Sequence, residues 1–156
     1  MKPEEVLNAI YSLDNLESWK AAWEIIRTKN SDLAEFYLPH LKEIRESVSK
    51  LPAPDKPAMR DSRDSIKLAL KILESVSEGK CKCSIYLETE QVLPESQEKF
   101  GLIEIKEKRW DAKAYEDDIE CSCTECGQDF NCRVNHGYHY PWSKWTIKTK
   151  GYTLKW

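Results

Sequence analysis

Five of the six cysteines in this 156-residue chain fall in two short segments. Cys81 and Cys83 form a C-x-C pair, and the run Cys-Ser-Cys-Thr-Glu-Cys places Cys121, Cys123 and Cys126 close together. Thiolates are the soft ligands that Zn²⁺ takes up in a tetrahedron, and a C-x-x-C turn supplies two of them. We therefore predict that Cys81, Cys83, Cys123 and Cys126 hold one metal ion.

Other side chains leave the ligand set open to variation. Cys121 shares a strand face with Cys123 and can take its place, and either His136 or His139 can complete a Cys₃His site. Cys132 lies in an alternating apolar run and is expected to fill core, because free cysteines are among the most buried residues. Tetrahedral thiolates also accept iron, so the pattern alone does not separate iron from zinc.

Four thiolates around one ion indicate a structural site. A catalytic zinc keeps an open position for water and is usually held by histidine and carboxylate. The chain contains no P-loop, no G-x-S-x-G, no G-x-G-x-x-G and no H-x-E or Pro-Cys step of the zinc deaminases. We therefore expect a protein that is not an enzyme.

Residues 1–79 are expected to be helical, because their apolar residues recur at helical spacing. Asp14, followed three residues later by Glu17, resembles a capping box that opens a second helix. The predicted apolar stripe of that helix consists of Leu16, Trp19, Trp23 and Ile26.

Individual serine, proline and glycine residues predict where the helices of this region begin and end. Ser31 is expected to cap the next helix, and Pro39 is expected to kink it or to begin a new one, because proline lacks a backbone donor. The prolines within 52–57 predict a stiff linker, and Gly79 is expected to end the last helix.

From residue 80 onward the apolar period changes to two, which is typical of half-buried strands. A polar loop is expected from Glu88 to Lys99. The predicted strand segments are 81–87, 101–110, 119–123, 130–134 and one or two strands within 142–156. The sequence thus predicts an α+β fold, in which an N-terminal helical bundle or short HEAT-like helical pairs (1–79) pack on a C-terminal antiparallel sheet (80–156) as one compact unit.

The pattern C-x-C followed by C-x-x-C-G-x-x-F resembles the zinc-ribbon class of domains over residues 81–130. In that class two cysteine pairs on adjacent hairpins hold a structural Zn²⁺. The resemblance implies structural zinc as the cofactor, with the two cysteine pairs as its ligands.

The composition, with 40% hydrophobic and 33% charged residues, is typical of a soluble globular protein. No apolar run approaches the roughly 20 residues of a membrane span, and the N-terminus Met-Lys-Pro-Glu-Glu lacks the apolar stretch of a signal peptide. We therefore expect a cytoplasmic protein, whose reduced thiols favour metal over disulfide.

The net charge of −3 is unevenly distributed. Residues 81–126 carry 6 Lys or Arg against 12 Asp or Glu, a balance of −6, and residues 127–156 carry 5 against 1, a balance of +4. We expect the acidic middle to bind a protein partner and to speed encounter by steering. The expected partner-binding residues are Asp111, Glu116, Asp117, Asp118 and Glu120. In size and charge the chain resembles bacterial immunity proteins, which implies a basic toxin as the partner.

The basic C-terminal tail supports a second hypothesis, nucleic-acid binding, in which cations contact phosphates and rings stack on bases. The isoelectric point of about 5.7 argues against it, because nucleic-acid-binding domains tend to be basic. The aromatic residues of the tail also alternate as core residues do. The residues concerned are Arg133, His136, His139, Lys144, Lys148, Lys150, Lys155, Tyr138, Tyr140, Trp142, Trp145, Tyr152 and Trp156.

Overall fold

The computed structural model describes residues 1–53, 62–137 and 139–148. The expected α+β fold is confirmed, with helices in the N-terminal part and an antiparallel sheet in the C-terminal part. The chain divides into two compact units, Met1–Lys82 and Cys83–Trp156. The prolines at 54 and 57, which belong to the predicted linker, lie outside the described residues.

Unit 1 is made of helices. They are α1 (Pro3–Tyr11), α2 (Asn15–Ile26), α3 (Asn30–Phe36), a 3₁₀ turn (Leu38–His40), α4 (Leu41–Ser49) and α5 (Ser62–Ser77). Its core is aliphatic, and the fully buried side chains include Ile10, Ile25, Ile26, Ile72 and Leu73.

The buried face of α2 differs from the predicted stripe. Leu16 and Trp19 are exposed, whereas Ala21 and Ala22 have no accessible surface. The small alanines let neighbouring backbones approach closely, and the buried Ser18 hydroxyl donates a hydrogen bond to the Ala9 carbonyl of α1. The prediction of Leu16 and Trp19 as core residues was therefore wrong, because small residues, rather than the largest apolar ones, form this contact.

The helix boundaries follow local chemistry, with one exception. Asp14 caps α2 through its carboxylate, which accepts from the Glu17 amide at 2.9 Å. The helix restarts at Pro39, as expected, with this residue in the first turn of the 3₁₀ segment. The prediction of Ser31 as a cap was wrong, because α3 begins one residue earlier, at Asn30, after an extended Lys29.

Unit 2 begins with a 3₁₀ helix (Lys82–Glu88) and a short α6 (Pro94–Lys99). The strands β1 (Ile103–Asp111), β2 (Glu116–Cys123), β3 (Asp129–Asn135) and β4 (Trp142–Ile147) follow in the spatial order β1-β2-β3-β4, with all neighbours antiparallel. The strands thus appear in the sheet in chain order, each joined to the next by a direct reversal.

Two predictions about the start of unit 2 were wrong. The segment 81–87 is not a strand, and the expected polar loop 88–99 contains α6. The alternating pattern was misleading because Lys82 and Tyr86, which alternate with Cys81, Cys83, Ile85 and Leu87, are themselves only 1% exposed. The Tyr86 hydroxyl donates to Gln97, a buried residue of α6, at 3.0 Å. Both polar side chains have buried partners on either side of the segment. A 3₁₀ helix directs them to those partners, which a strand with one solvent-facing side would not do.

One face of the sheet is buried. Its register places Cys121 opposite Phe130, Ile119 opposite Cys132, and Cys132 opposite Trp145. The Trp145 ring lies edge-on to Phe130, with ring centroids 5.4 Å apart. Cysteine, aliphatic and aromatic side chains therefore fill this core together.

Candidate metal centre

The structure brings together the sulfur atoms of the four predicted cysteines. The Sγ atoms of Cys81, Cys83, Cys123 and Cys126 all lie within 4.8 Å of one another. Cys83 and Cys123 are buried, Cys81 is partly exposed and Cys126 is exposed. Among the residues that the structure describes, this is the one group of at least three His, Cys, Asp or Glu side chains placed to share an ion.

The C-x-C pair is held at the start of the 3₁₀ helix, where Asn30 contacts it twice. The Asn30 side chain accepts from the Lys82 backbone amide at 3.0 Å and donates from Nδ2 to the Cys81 sulfur at 3.1 Å. A donor to sulfur stabilises the thiolate form, which is the metal-binding form. Asn30 therefore orients Cys81 and favours its charged state.

The C-x-x-C pair is held by a tight turn at the end of β2. The Gly127 amide donates to the Cys123 carbonyl, and the Cys123 amide donates to the Gln128 carbonyl, both at 2.9 Å. Gly127 has a φ of +79°, a conformation that residues with a side chain rarely adopt. The glycine after the second cysteine thus lets the chain reverse and present both sulfurs of this pair.

The distances fit a tetrahedral ion. Zinc–sulfur bonds of roughly 2.3 Å place neighbouring sulfurs about 3.8 Å apart. The measured separation between the sulfurs of Cys83 and Cys126 is 3.4 Å, and no pair in the group exceeds 4.8 Å. The cluster can therefore hold a metal ion without a large rearrangement.

A buried lysine stands between the two cysteines of the C-x-C pair in the chain. This residue is Lys82, and its ammonium group donates to the carbonyls of Ile26 and Thr28, the latter at 2.8 Å. Those carbonyls lie at the C-terminal end of α2, where helices have orphan acceptors and a negative dipole end. The side chain of Lys82 thus anchors the segment between Cys81 and Cys83 to the end of α2.

The alternative ligands lie outside the cluster. Cys121 and Cys132 are buried in the sheet core, and burial raises the pKa of the Cys121 thiol to about 12. Burial also raises the pKa of Cys132 above the usual thiol range. His136 contacts Asp117 instead, with Nε2 2.8 Å from Oδ2, and His139 is not part of the cluster.

The acidic run of β2 is split between two faces of the sheet. Asp117, which alternates with Ile119, is 7% exposed, so it is not on the same surface as its neighbours. Glu116 accepts from Arg133 at 3.2 Å, and Glu120 contacts Arg109 and Lys148. The hydrogen bond from Lys148 is the main cause that lowers the pKa of Glu120.

The remaining expected partner-binding residues differ in their environment. The Asp111 carboxylate accepts from the amides of Lys113 and Ala114 in the β1–β2 turn. Asp118 lies opposite Arg109 on one neighbouring strand and opposite Arg133 on the other. The outward face of β2 therefore mixes both signs of charge rather than presenting a purely acidic surface.

Part of the basic tail can also be described. Trp145 is buried, and its indole nitrogen donates to the Val92 carbonyl at 2.8 Å, so its ring packs in the core rather than standing free to stack on bases. Lys144 lies on β4, and Lys148, just beyond it, pairs with Glu120. Five further residues of the predicted tail surface lie outside the described residues, namely Tyr138, Lys150, Tyr152, Lys155 and Trp156.

Comparison of the chain with family models, curated proteins and solved structures finds no match. In the described parts of the chain, no helix is long and apolar enough to cross a membrane. The four-cysteine cluster is therefore the clearest chemical feature of the described chain.

Proposed function

We propose that this chain is a zinc-stabilised protein-binding module that is not an enzyme. The observation that carries the proposal is the four-cysteine cluster, whose sulfurs all lie within 4.8 Å. Four thiolates saturate a tetrahedral Zn²⁺ and leave no position for a catalytic water. The ion then serves the fold, since binding free energy at such a site is also folding free energy.

Protein binding is favoured by what the sheet exposes. Trp110 and Tyr115, near the β1–β2 turn, are among the exposed large side chains, and their rings are in edge-on contact. Tryptophan, tyrosine and arginine are the residue types that contribute most at protein interfaces. In its most concrete form, the module is a cytoplasmic immunity or inhibitor protein that covers a basic protein such as a toxin.

The charged surface refines this form of the proposal. Glu116, Asp118 and Glu120 point away from the core-facing side of β2 and already have arginine or lysine neighbours. A basic partner would have to replace the ion pairs that these carboxylates already make within the protein, because the carboxylates are not unpaired. Long-range steering is then weaker than the sequence suggests, and short-range complementarity contributes more.

The metal is tested by elemental analysis of purified protein together with thiol titration. We expect one zinc per chain, and we expect Cys83→Ser and Cys126→Ser to lose it. Cys132→Ala is the matched control, because this cysteine is buried outside the cluster. Folded protein that carries no metal, with the four cluster thiols reactive in the absence of chelator, would overturn the proposal.

The partner is tested with two charge variants. One replaces Glu116, Asp118 and Glu120 by glutamine, and the other replaces Lys144 and Lys148 by glutamine. We expect co-purification of a defined protein to be lost only in the first variant, with zinc content unchanged in both. Loss of salt-sensitive nucleic-acid binding in the second variant alone would support the nucleic-acid hypothesis instead.

A further inference from the structure

Unit 2 contains a cavity of about 140 Å³ between α6 and the sheet. Its apolar walls come from Leu93 and Pro94 before and within α6 and from Ile119 and Val134 of the sheet. Apolar cavities of about 150 Å³ accept a benzene ring. The size and the walls therefore suit one six-membered ring.

A buried carboxylate lies beside these apolar walls. Asp117 lines the cavity and is 7% exposed. Its Oδ2 atom lies 2.8 Å from His136 Nε2 and 3.8 Å from Lys108 Nζ. Among the described residues, its Oδ1 atom has no hydrogen-bond partner. Oδ1 can therefore accept a hydrogen bond from a ligand, and such a bond is stronger in this partly desolvated environment than in water.

The charges around the cavity favour a neutral donor over a cation. Glu95 and Asp117 line it with two negative groups, whereas Lys99 lines it and Lys108 contacts both carboxylates. The formal charges of these four groups cancel. An ammonium or guanidinium ligand would be repelled by the two lysines as well as attracted by the two carboxylates. A neutral hydroxyl experiences no such repulsion.

Aromatic side chains continue from the cavity to the surface. The ring of His136, which lines the cavity, lies 5.9 Å from the Trp110 ring, and Trp110 meets Tyr115 edge-on at 6.1 Å. Trp110 is 54% exposed and Tyr115 is 61% exposed. Aromatic neighbours at these distances favour a further ring in an offset or edge-on arrangement.

We propose that this cavity binds a phenol ring, which lies against Leu93, Ile119 and Val134 and donates its hydroxyl hydrogen bond to Asp117. A tyrosine side chain of a protein and a free small phenol share this chemistry. The site is separate from the metal centre, so its binding of a phenol does not depend on the proposed zinc function.

The test uses p-cresol as the probe on metal-loaded protein, with amide chemical shifts recorded by NMR. We expect saturable shifts at Ile119, Val134 and His136. Toluene, which has the same ring without the hydroxyl, is expected to bind about tenfold more weakly, because it lacks a hydrogen bond to a charged acceptor. Equal binding of toluene, or shifts confined to other residues, would overturn the proposal.

Two variants identify the acceptor. Asp117→Asn is expected to weaken p-cresol binding about tenfold and to leave toluene binding unchanged, because charge-assisted hydrogen bonds are the stronger kind. Glu104→Gln is the matched control, since this exposed carboxylate of β1 is not among the residues that line the cavity, and we expect unchanged affinity. If Asp117→Asn fails to fold, the comparison of p-cresol with toluene on the unaltered protein still decides.

Two further probes separate the ligand classes. n-Butylammonium is expected to bind more weakly than p-cresol, and tighter binding would overturn the proposal in favour of a cation site. N-acetyltyrosinamide binding as tightly as p-cresol would support a protein tyrosine as the natural ligand. Binding of p-cresol alone would support a free small phenol.

Discussion

Lys82, which stands between two cysteines of the cluster in the chain, is held by Asn30 and by the end of α2. Its backbone amide is held by Asn30, and its ammonium group satisfies carbonyls at the end of α2, 54 and 56 residues earlier in the chain. A cation at a helix C-terminus interacts favourably with the helix dipole. One residue therefore supports both the end of α2 and the position of the cysteines on either side of it.

We predict that Lys82→Met lowers the free energy of unfolding by about 1–3 kcal/mol, because two carbonyls lose a charged donor. Urea denaturation of the metal-loaded protein measures this. Lys80→Met is the matched control, since Lys80 is exposed and pairs only with Glu78 in the described structure. Its effect should stay within about 0.5 kcal/mol. Equal stability of the two variants would contradict the role assigned to Lys82.

Asn30 is predicted to strengthen metal binding through its contact with Cys81. Outer groups that hydrogen-bond to metal ligands typically contribute about 10- to 100-fold in metal affinity. Because Asn30 donates to the Cys81 sulfur, we expect Asn30→Ala to weaken zinc binding at least about tenfold in a chelator competition. Ser31→Ala, at the exposed neighbouring position on α3, should bind zinc like the unaltered protein.

The cysteines could be predicted from sequence, but the groups that support them could not. Thiol chemistry and C-x-C or C-x-x-C spacing indicate ligands directly. Asn30 and Lys82 are ordinary residue types, and their contacts join positions more than 50 residues apart. No local pattern carries that information. Asp117 was recoverable, because its alternation with Ile119 already places it on the buried face of a strand.

In α2, a local sequence signal determines where the helix begins, whereas packing against other helices determines which face is buried. The capping signal at Asp14 was sufficient to find the helix start, because the cap is a contact within four residues. The buried face depended on close approach of neighbouring helices at Ala21 and Ala22, which sequence hydrophobicity does not express. The 3₁₀ helix was missed for the same reason, since the partners of its buried polar groups are distant in sequence.

The cap itself can be tested. Asp14→Ala should lower the free energy of unfolding by about 1 kcal/mol, because the Glu17 amide loses its acceptor. Thermal or urea unfolding measures this change. Glu17→Ala should cost less than about 0.5 kcal/mol, because the Glu17 side chain pairs with Lys20 on the surface. The Asp14 amide is instead held by the Ser12 hydroxyl. A larger loss in Glu17→Ala would restore the full capping box.

For the whole molecule, the six thiols should fall into distinct reactivity classes. After metal removal from the folded protein, Cys126 and Cys81 should react first with a thiol reagent, because they are the most accessible. Cys121 and Cys132 should react last. With the pKa of Cys121 raised to about 12, about one thiol in ten thousand is ionised at pH 8, and this fraction rises about tenfold per pH unit.

The measurement is a time course of thiol release with and without chelator at pH 8 and pH 9. Cys132→Ala serves as the control, because it should remove one slow thiol and leave the chelator-dependent ones unchanged. Guanidinium should make all six thiols react quickly in the unaltered protein. Rapid reaction of Cys121 in folded protein would contradict its burial.

The outer edge of the described sheet has a consequence for behaviour at high concentration. β1 occupies that edge, carries an irregularity between Ile105 and Glu107, and is rich in charged side chains from Glu104 to Arg109. Bulges and charges on an edge strand oppose the docking of another strand and so suppress aggregation. The charges and the irregularity of β1 thereby hinder the addition of strands from other molecules, which is how unpaired edge strands start fibres.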